Sequence, residues 1–286
     1  MMYRGRIAPS PTGFLHLGHA ATFRTAWDRA RNAAGQVILR VEDLDEARCR
    51  NEFRDAIIED LQWIGLDWDE GPDVGGRHAP YVQSERLSLY REAFETLRRR
   101  KLVYPCRCSR REIQMALSAP HEGDDEPVYP GTCRPSKYSG QWDGEMFGVN
   151  WRFRIRDGQE MHFTDANLGD QSARCGREFG DFLVWRKDNI PSYQLAVTVD
   201  DAEMGITEVV RGRDLIISTF RQLLLYSALG HQPPRFFHCE LVRDKHGRRL
   251  AKRHTDSTLR RLRHAKPAPD ILRQIMNSQI DSDELS

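Results

Sequence analysis

Two histidines stand three residues apart in His16-Leu17-Gly18-His19, just after the proline-rich run Pro9-Ser10-Pro11-Thr12-Gly13. Ile7 to Thr12 reads as a short strand that Pro9 and Pro11 bring to an end, and His19 to about Ala34 reads as a helix. A helix N-terminus offers unpaired N–H groups and the positive end of a dipole, which together suit a phosphate. Gly18 has no side chain to keep a ligand from the backbone. Two imidazoles at that point are a site for a nucleotide's polyphosphate; alone, the same pair could merely decorate a turn. There is neither a P-loop nor a G-x-G-x-x-G.

A second chemical cluster is built of thiols. Cys106-Arg107-Cys108 and Cys133 offer three thiolates, a donor set that suits Zn²⁺ and needs a fourth ligand for tetrahedral closure; ordinary buried thiols are the plainer alternative. Cys49, Cys175 and Cys239 are scattered. A disulfide framework would be unusual in a chain of 286 residues with no leader-like N-terminus. A third feature is local charge: Arg243, Lys245, Arg248, Arg249, Lys252, Arg253, Arg260, Arg261 and Arg263 form a basic run suited to RNA phosphates, or a solvated tail.

These groups need a scaffold. Val37 to Val41 reads as a buried strand, Phe53 to Ile64 as a helix stopped at Gly65, and Ser84 opens another helix. Trp151 to Arg156 alternates as an exposed antiparallel strand would. Tyr193 to Asp200 and Ile206 to Val210 read as two more buried strands. Asp214 is placed to cap an apolar helix over 215–229, and a short amphipathic helix is expected from about Asp270. Strand–helix alternation at both ends around an antiparallel middle predicts an α/β, doubly wound parallel sheet interrupted by an insertion. Ligands of such sheets lie at the carboxyl ends of strands, here after Ile7, Val41, Val199 and Val210. Lys plus Arg number 43 against 42 Asp plus Glu, so no global field favours nucleic acid. Apolar runs such as Leu223-Leu224-Leu225 are too short to span a bilayer, and the cytoplasm is the expected compartment.

The histidine block resembles the HIGH signature of class I aminoacyl-tRNA synthetases, and its lead-in Arg6-Ile7-Ala8-Pro9-Ser10-Pro11-Thr12-Gly13 resembles the glutamate and glutamine branch. Arg40-Val41-Glu42-Asp43-Leu44-Asp45, Pro191 to Ala196 and Val209 to Leu215 resemble further blocks of that branch. Arg249-Leu250-Ala251-Lys252-Arg253 resembles the late KMSKS loop, with Arg249 at the first lysine and Ala251 at the serine; Lys245 is a second choice for the mobile lysine. The resemblance implies a Rossmann-type catalytic domain whose halves are 1–103 and 189–240. An inserted zinc-binding, acceptor-type subdomain would occupy 104–188, and 241–286 would hold the KMSKS-like loop and a short helical tail.

The implied reaction is attack of the glutamate carboxylate on the α-phosphate of ATP, with Mg²⁺, giving glutamyl-adenylate and pyrophosphate. Positioning and charge neutralisation carry such chemistry. His16, His19 and Lys252 would be catalytic, and His16, Gly18, His19 and Lys252 would bind ATP. By resemblance, Arg6, Ala8, Ser10, Glu42, Tyr193 and Arg211 form the L-glutamate pocket. Arg6 and Arg211 could each fork onto a carboxylate, Glu42 could hold the ammonium, and Ser10 and Tyr193 could add hydroxyls.

The small glutamyl-queuosine branch of the family carries a C-x-C…Y-x-x-x-C zinc site. That makes Tyr129 the fourth ligand beside Cys106, Cys108 and Cys133 of one structural Zn²⁺, with His121 and Cys175 as rivals. About thirty residues follow Arg253, too few for an anticodon-binding domain of ordinary size. The resemblance therefore extends to enzymes that attach glutamate to queuosine in the anticodon loop of tRNA(Asp), acting as monomers. The alternatives are a compact glutamyl-tRNA synthetase that charges the 3′ end and a non-catalytic tRNA-binding paralogue. The latter predicts eroded catalytic blocks, whereas His16, His19, Glu42, Arg211 and Lys252 are all present.

Overall fold

The computed structural model describes residues 2–108, 128–135, 148–241 and 258–265. His121, Lys245, Arg249, Ala251, Lys252, Arg253, Arg243, Arg248 and the helix expected from Asp270 lie outside them. The chain forms two compact units. One comprises Met1–Ser84, Ile206–Arg213 and Phe237–Ser286; the other comprises Glu85–Gly205 and Asp214–Phe236.

In the first unit, β1 (Arg4–Ile7) and β2 (Gln36–Leu39) pair in parallel, with Arg4 opposite Gln36 and Ile7 opposite Leu39. The ladder runs on past both strands, because Arg40 N–H donates to Ile7 and Glu42 N–H to Pro9. A parallel pair needs a crossover, and α1 (Leu17–Asn32) supplies it. The return from α1 to β2 is tight. A Cβ at Gly35 would sit 2.5 Å from the Tyr3 carbonyl, so only glycine fits there. On the far side of β2, Ile38 bridges to Glu70 and Val41 to Val82, again in parallel. The apolar positions of β1, α1, β2 and α2 (Asn51–Trp63) form one core, including Ile7, Leu17, Val37, Ile57 and Leu61. Gly65, at φ 74°, turns the chain out of α2 as expected. A short helix α6 (Leu259–Ala265) buries Leu259 and Leu262 in the same core. The first unit also holds β8 (Glu208–Gly212), where a strand was expected, and the end of β9 (Arg235–Cys239).

The second unit starts with α3 (Leu87–Arg99) and an antiparallel sheet of β3 (Val103–Cys106), β4 (Asn150–Phe153) and β7 (Phe182–Trp185). β4 is antiparallel as expected, but all four of its residues are buried. It is the middle strand, and Trp151 packs edge-on against Phe94 of α3. A hairpin of β5 (Glu160–Asp165) and β6 (Gly169–Arg174) adds a second antiparallel element.

Tyr193 to Asp200 is not a strand: Tyr193–Glu203 is a helix, α4, capped by the Ser192 hydroxyl, which accepts from Leu195 N–H. The helix is buried on almost all sides, so its sequence shows an apolar run without a polar face, a pattern that periodicity cannot assign. Its polar residues are satisfied internally, Gln194 by Ser218 and Gln222 of α5 (Ile216–Leu229). Val199 therefore does not end a strand. Asp214 lies in a 3-10 turn, and the residue at the cap of α5 is Leu215, with no side-chain hydrogen bond.

Candidate active site and thiol–phenol cluster

His16 is the N-cap of α1, with extended backbone at φ −119° and ψ 169°. Its Nδ1 accepts from Gly18 N–H at 3.1 Å, and its own N–H points to His19 Nδ1 at a longer 3.5 Å. The rings stack with centroids 3.7 Å apart. An Nδ1 that accepts cannot carry a proton, so each neutral ring holds its proton on Nε2 as a donor. The first turn of α1 contains no acidic residue to compete with an anion. Two stacked imidazoles at the start of α1, with His16 itself capping the first turn, are an arrangement suited to phosphate oxygens. Lys252 lies outside the described residues, but Thr258 beyond it bridges to His16, and Leu259 N–H donates to Leu15 at 2.8 Å.

At the carboxyl ends of β1 and β2 the backbone sets Ala8, Ser10 and Glu42 together, through the Glu42-to-Pro9 hydrogen bond. Arg6 is 5% exposed, and its Nη1 donates to the Val210 carbonyl at 2.9 Å, beside Arg211 of β8. Arg211 is 4% exposed, and its Nε donates to His238 Nε2 at 3.3 Å. Glu42 accepts from Arg40 Nη2 at 2.9 Å. The first unit thus holds Arg6, Ala8, Ser10, Glu42, His16, Gly18 and His19 on or just beyond the β1–β2 pair and its crossover helix, and Arg211 on β8, next to the Val210 whose carbonyl takes Arg6. Tyr193 belongs to the second unit, where it is a buried first residue of α4.

The sequence reading missed Arg40 and His238, both fully buried. Arg40 stands within a recognised block, but nothing in the block shows that it holds Glu42. His238 has no local signal, because it meets Arg211 only across 27 positions of sequence.

In the second unit, Cys106, Cys108 and Cys133 place their sulfurs within 4.8 Å of one another. Cys175 lies outside this cluster. The Oη of Tyr129 is 3.5 Å from Cys106 Sγ and 3.3 Å from Cys108 Sγ, and the sulfurs of Cys108 and Cys133 are 3.6 Å apart. Ordinary zinc–sulfur and zinc–oxygen bond lengths give tetrahedron edges of about 3.8 Å between sulfurs and about 3.5 Å between sulfur and oxygen. The three distances given above lie close to those edges, so this donor set fits a zinc ion. Burial pushes the Cys108 thiol up to about 11 and also raises Tyr129. At Cys133 burial acts upward too, but a hydrogen bond with the Arg107 backbone and contacts with Tyr129 and the other thiols outweigh it and lower the group.

A parallel α/β crossover with paired imidazoles at the helix start and buried arginines at the strand ends defines a nucleotide-binding catalytic domain for an anionic substrate. The chain belongs to the family described as tRNA synthetases class I (E and Q), catalytic domain, whose profile matches residues 2–277.

Among curated relatives, it is 49% identical over 276 residues to the glutamyl-Q tRNA(Asp) synthetase of Nitratidesulfovibrio vulgaris, covering 94% of this chain and 84% of that protein. The protein of the same name from Symbiobacterium thermophilum is also 49% identical, over 95% of this chain and 84% of its own length. A glutamate–tRNA ligase of Heliobacterium modesticaldum is 41% identical over 90% of this chain and 52% of that protein. A glutamate tRNA ligase from Elizabethkingia meningosepticum, solved with its amino acid, superposes with a TM-score of 0.76 at 31% identity. That match covers 90% of this chain and 53% of the solved one, so the chain spans about half its length. No helix among the described residues is long and apolar enough to cross a membrane.

Proposed function

We propose that this chain uses ATP to activate L-glutamate as glutamyl-adenylate and transfers the glutamyl group to queuosine in the anticodon loop of tRNA(Asp). The observation that carries this reading is the 49% identity to glutamyl-Q tRNA(Asp) synthetases over 84% of their length. The names of those relatives supply the acceptor.

The first unit's chemistry agrees with the amino acid. Glutamate brings two carboxylates and an ammonium; Arg6 and Arg211 answer the carboxylates and Glu42 the ammonium. A pocket with buried cations favours glutamate over glutamine, whose amide cannot neutralise them. By the family resemblance, Ala8, Ser10 and Tyr193 belong to the same set, Ser10 and Tyr193 contributing hydroxyls. His16 and His19 donate Nε2–H to phosphate oxygens of ATP as charge builds there, and Lys252 reaches the same phosphates. Mg²⁺ enters with ATP and supplies further charge neutralisation.

Cys106, Cys108, Tyr129 and Cys133 hold one structural Zn²⁺, which ties the knuckle of the inserted segment 104–188 to β3. Residues 1–103 and 189–240 are the two halves of the catalytic domain, and 241–286 carry the KMSKS-like loop and tail. The protein works in the cytoplasm as a monomer.

The identity to glutamate–tRNA ligases favours a second reading, charging of the tRNA 3′ end. Labelled glutamate offered to tRNA with and without queuosine separates the two. Label confined to the queuosine pool, on the anticodon-loop fragment after nuclease digestion, is the expected result. Label on the terminal adenosine in both pools would overturn it.

A further inference from the structure

Arg152 lies on β4, opposite Tyr104 of β3, two positions along that strand from Cys106. It is buried, with 4% of its surface exposed. Its Nε donates to Cys106 Sγ at 3.3 Å. Its guanidinium carbon lies 3.7 Å from the centre of the Tyr129 ring. One side chain therefore touches two of the four donors, one through a hydrogen bond to sulfur and one face-on.

The guanidinium is held in place from behind. Its Nη1 donates to the backbone carbonyl of Asp181 at 2.9 Å. The Asp181 carboxylate is engaged elsewhere: it accepts from Tyr104 Oη at 2.6 Å and Ile155 N–H at 2.9 Å, and pairs with Arg134 Nε at 3.0 Å. Arg134 follows Cys133 directly, so the same carboxylate also pins the far end of the knuckle.

The charge arithmetic gives this contact its meaning. A divalent cation held by three thiolates and a phenolate keeps a net charge of minus two, and a buried net charge is costly unless it is paired. A guanidinium in contact with a thiolate and a phenol ring offsets part of that charge. Arginine suits the position because a planar fork can donate from its edge to sulfur while its face covers a ring. We propose that Arg152 is the counter-charge of the Cys106–Cys108–Tyr129–Cys133 cluster, so that metal affinity there depends on the charge of this side chain as well as on the four donors. The proposal rests on reading the cluster as a zinc site.

The test compares the full-length protein with R152M and R152K. Zinc per chain is measured by mass spectrometry, affinity by competition with a chromogenic chelator, and donor geometry by the visible spectrum of the Co²⁺-loaded protein. Melting of the metal-free proteins reports on packing. The expected result is one zinc per wild-type chain and a tetrahedral cobalt spectrum in all three. R152M should bind zinc about 10–100-fold more weakly, the usual cost of losing an outer partner of a metal ligand, while R152K, which keeps the charge but loses the fork, binds more tightly than R152M and less tightly than wild type. Should R152M not fold, R152Q makes the same charge-loss comparison. Equal zinc affinity in wild type and R152M would overturn the proposal, as would a loss in R152K as large as that in R152M, which would point to shape and not charge. A wild-type protein with no zinc at all would overturn the zinc reading itself, and this proposal with it.

Discussion

The backbone N–H of Cys133 donates to the Oη of Tyr129 at 2.8 Å. The phenol oxygen thus accepts from the same loop that delivers a thiol, and this fixes it at the fourth corner of the sulfur triangle. Removing it leaves the three thiols in place. Tyr129→Phe is expected to keep the fold and still bind zinc, with water as the fourth ligand and a lower affinity by about 10-fold or more. Zinc competition checks this, and unchanged affinity would remove Tyr129 from the donor set.

Arg211 sits next to Val210, whose carbonyl takes Arg6, and is itself oriented by His238. Arg211→Ala is expected to lower glutamate-dependent pyrophosphate exchange by about 100-fold or more, because a forked cation–carboxylate contact is lost from a buried pocket. His238→Ala should act through Arg211, raising KM for glutamate with a smaller effect on kcat. Near-normal exchange by Arg211→Ala would sink the pocket assignment.

The parts of this site that could be read in the sequence were those that are contiguous in the chain. His16, Gly18 and His19 form one turn, and the motif displays that turn directly. Cys106 and Cys108 stand out by spacing alone, but nothing in the residues singles out Tyr129; only the family resemblance pointed to it. Arg40, His238 and Arg152 act through contacts that folding creates, at separations a linear pattern does not encode. The helix at Tyr193 was misread because a helix buried all round loses its polar stripe, whereas α2, with one wet face, was plain from its spacing. β4 was misread in exposure because its alternation is real but both faces are covered, with Arg152 buried inside.

His16 has two jobs that substitution can separate, since it caps α1 and aims an imidazole. Asparagine caps as well as any residue, whereas alanine at an N-cap costs about 1 kcal/mol. His16→Asn is therefore expected to melt close to wild type yet lose exchange activity by about 100-fold or more, and His16→Ala to lose both. A His16→Asn enzyme with near wild-type kcat would mean that the histidine serves only as a cap.

Asp60 of α2 is fully buried among the core residues of the first unit. Neither carboxylate oxygen has a hydrogen bond among the described residues, and Arg263 Nη1 comes no closer than 3.9 Å. Burial, only partly countered by Arg260 and Arg263, raises its pKa from 3.8 to about 6. A carboxyl with a raised pKa binds its proton more tightly when folded than when unfolded. The stability it lends is therefore fully present below about pH 4, and is lost as pH rises from there through about 6. Two pKa steps set an upper scale of about 3 kcal/mol for that loss. Asp60→Asn keeps the shape and cannot ionise. It is expected to leave stability near wild type at pH 4 and to raise it by about 1–3 kcal/mol at pH 8, with the gain opening between those values. Denaturant unfolding across that range checks it. A gain independent of pH would show that the amide improves packing, and destabilisation at pH 8 would show that the charge on Asp60 is needed to hold α6 through Arg260 and Arg263.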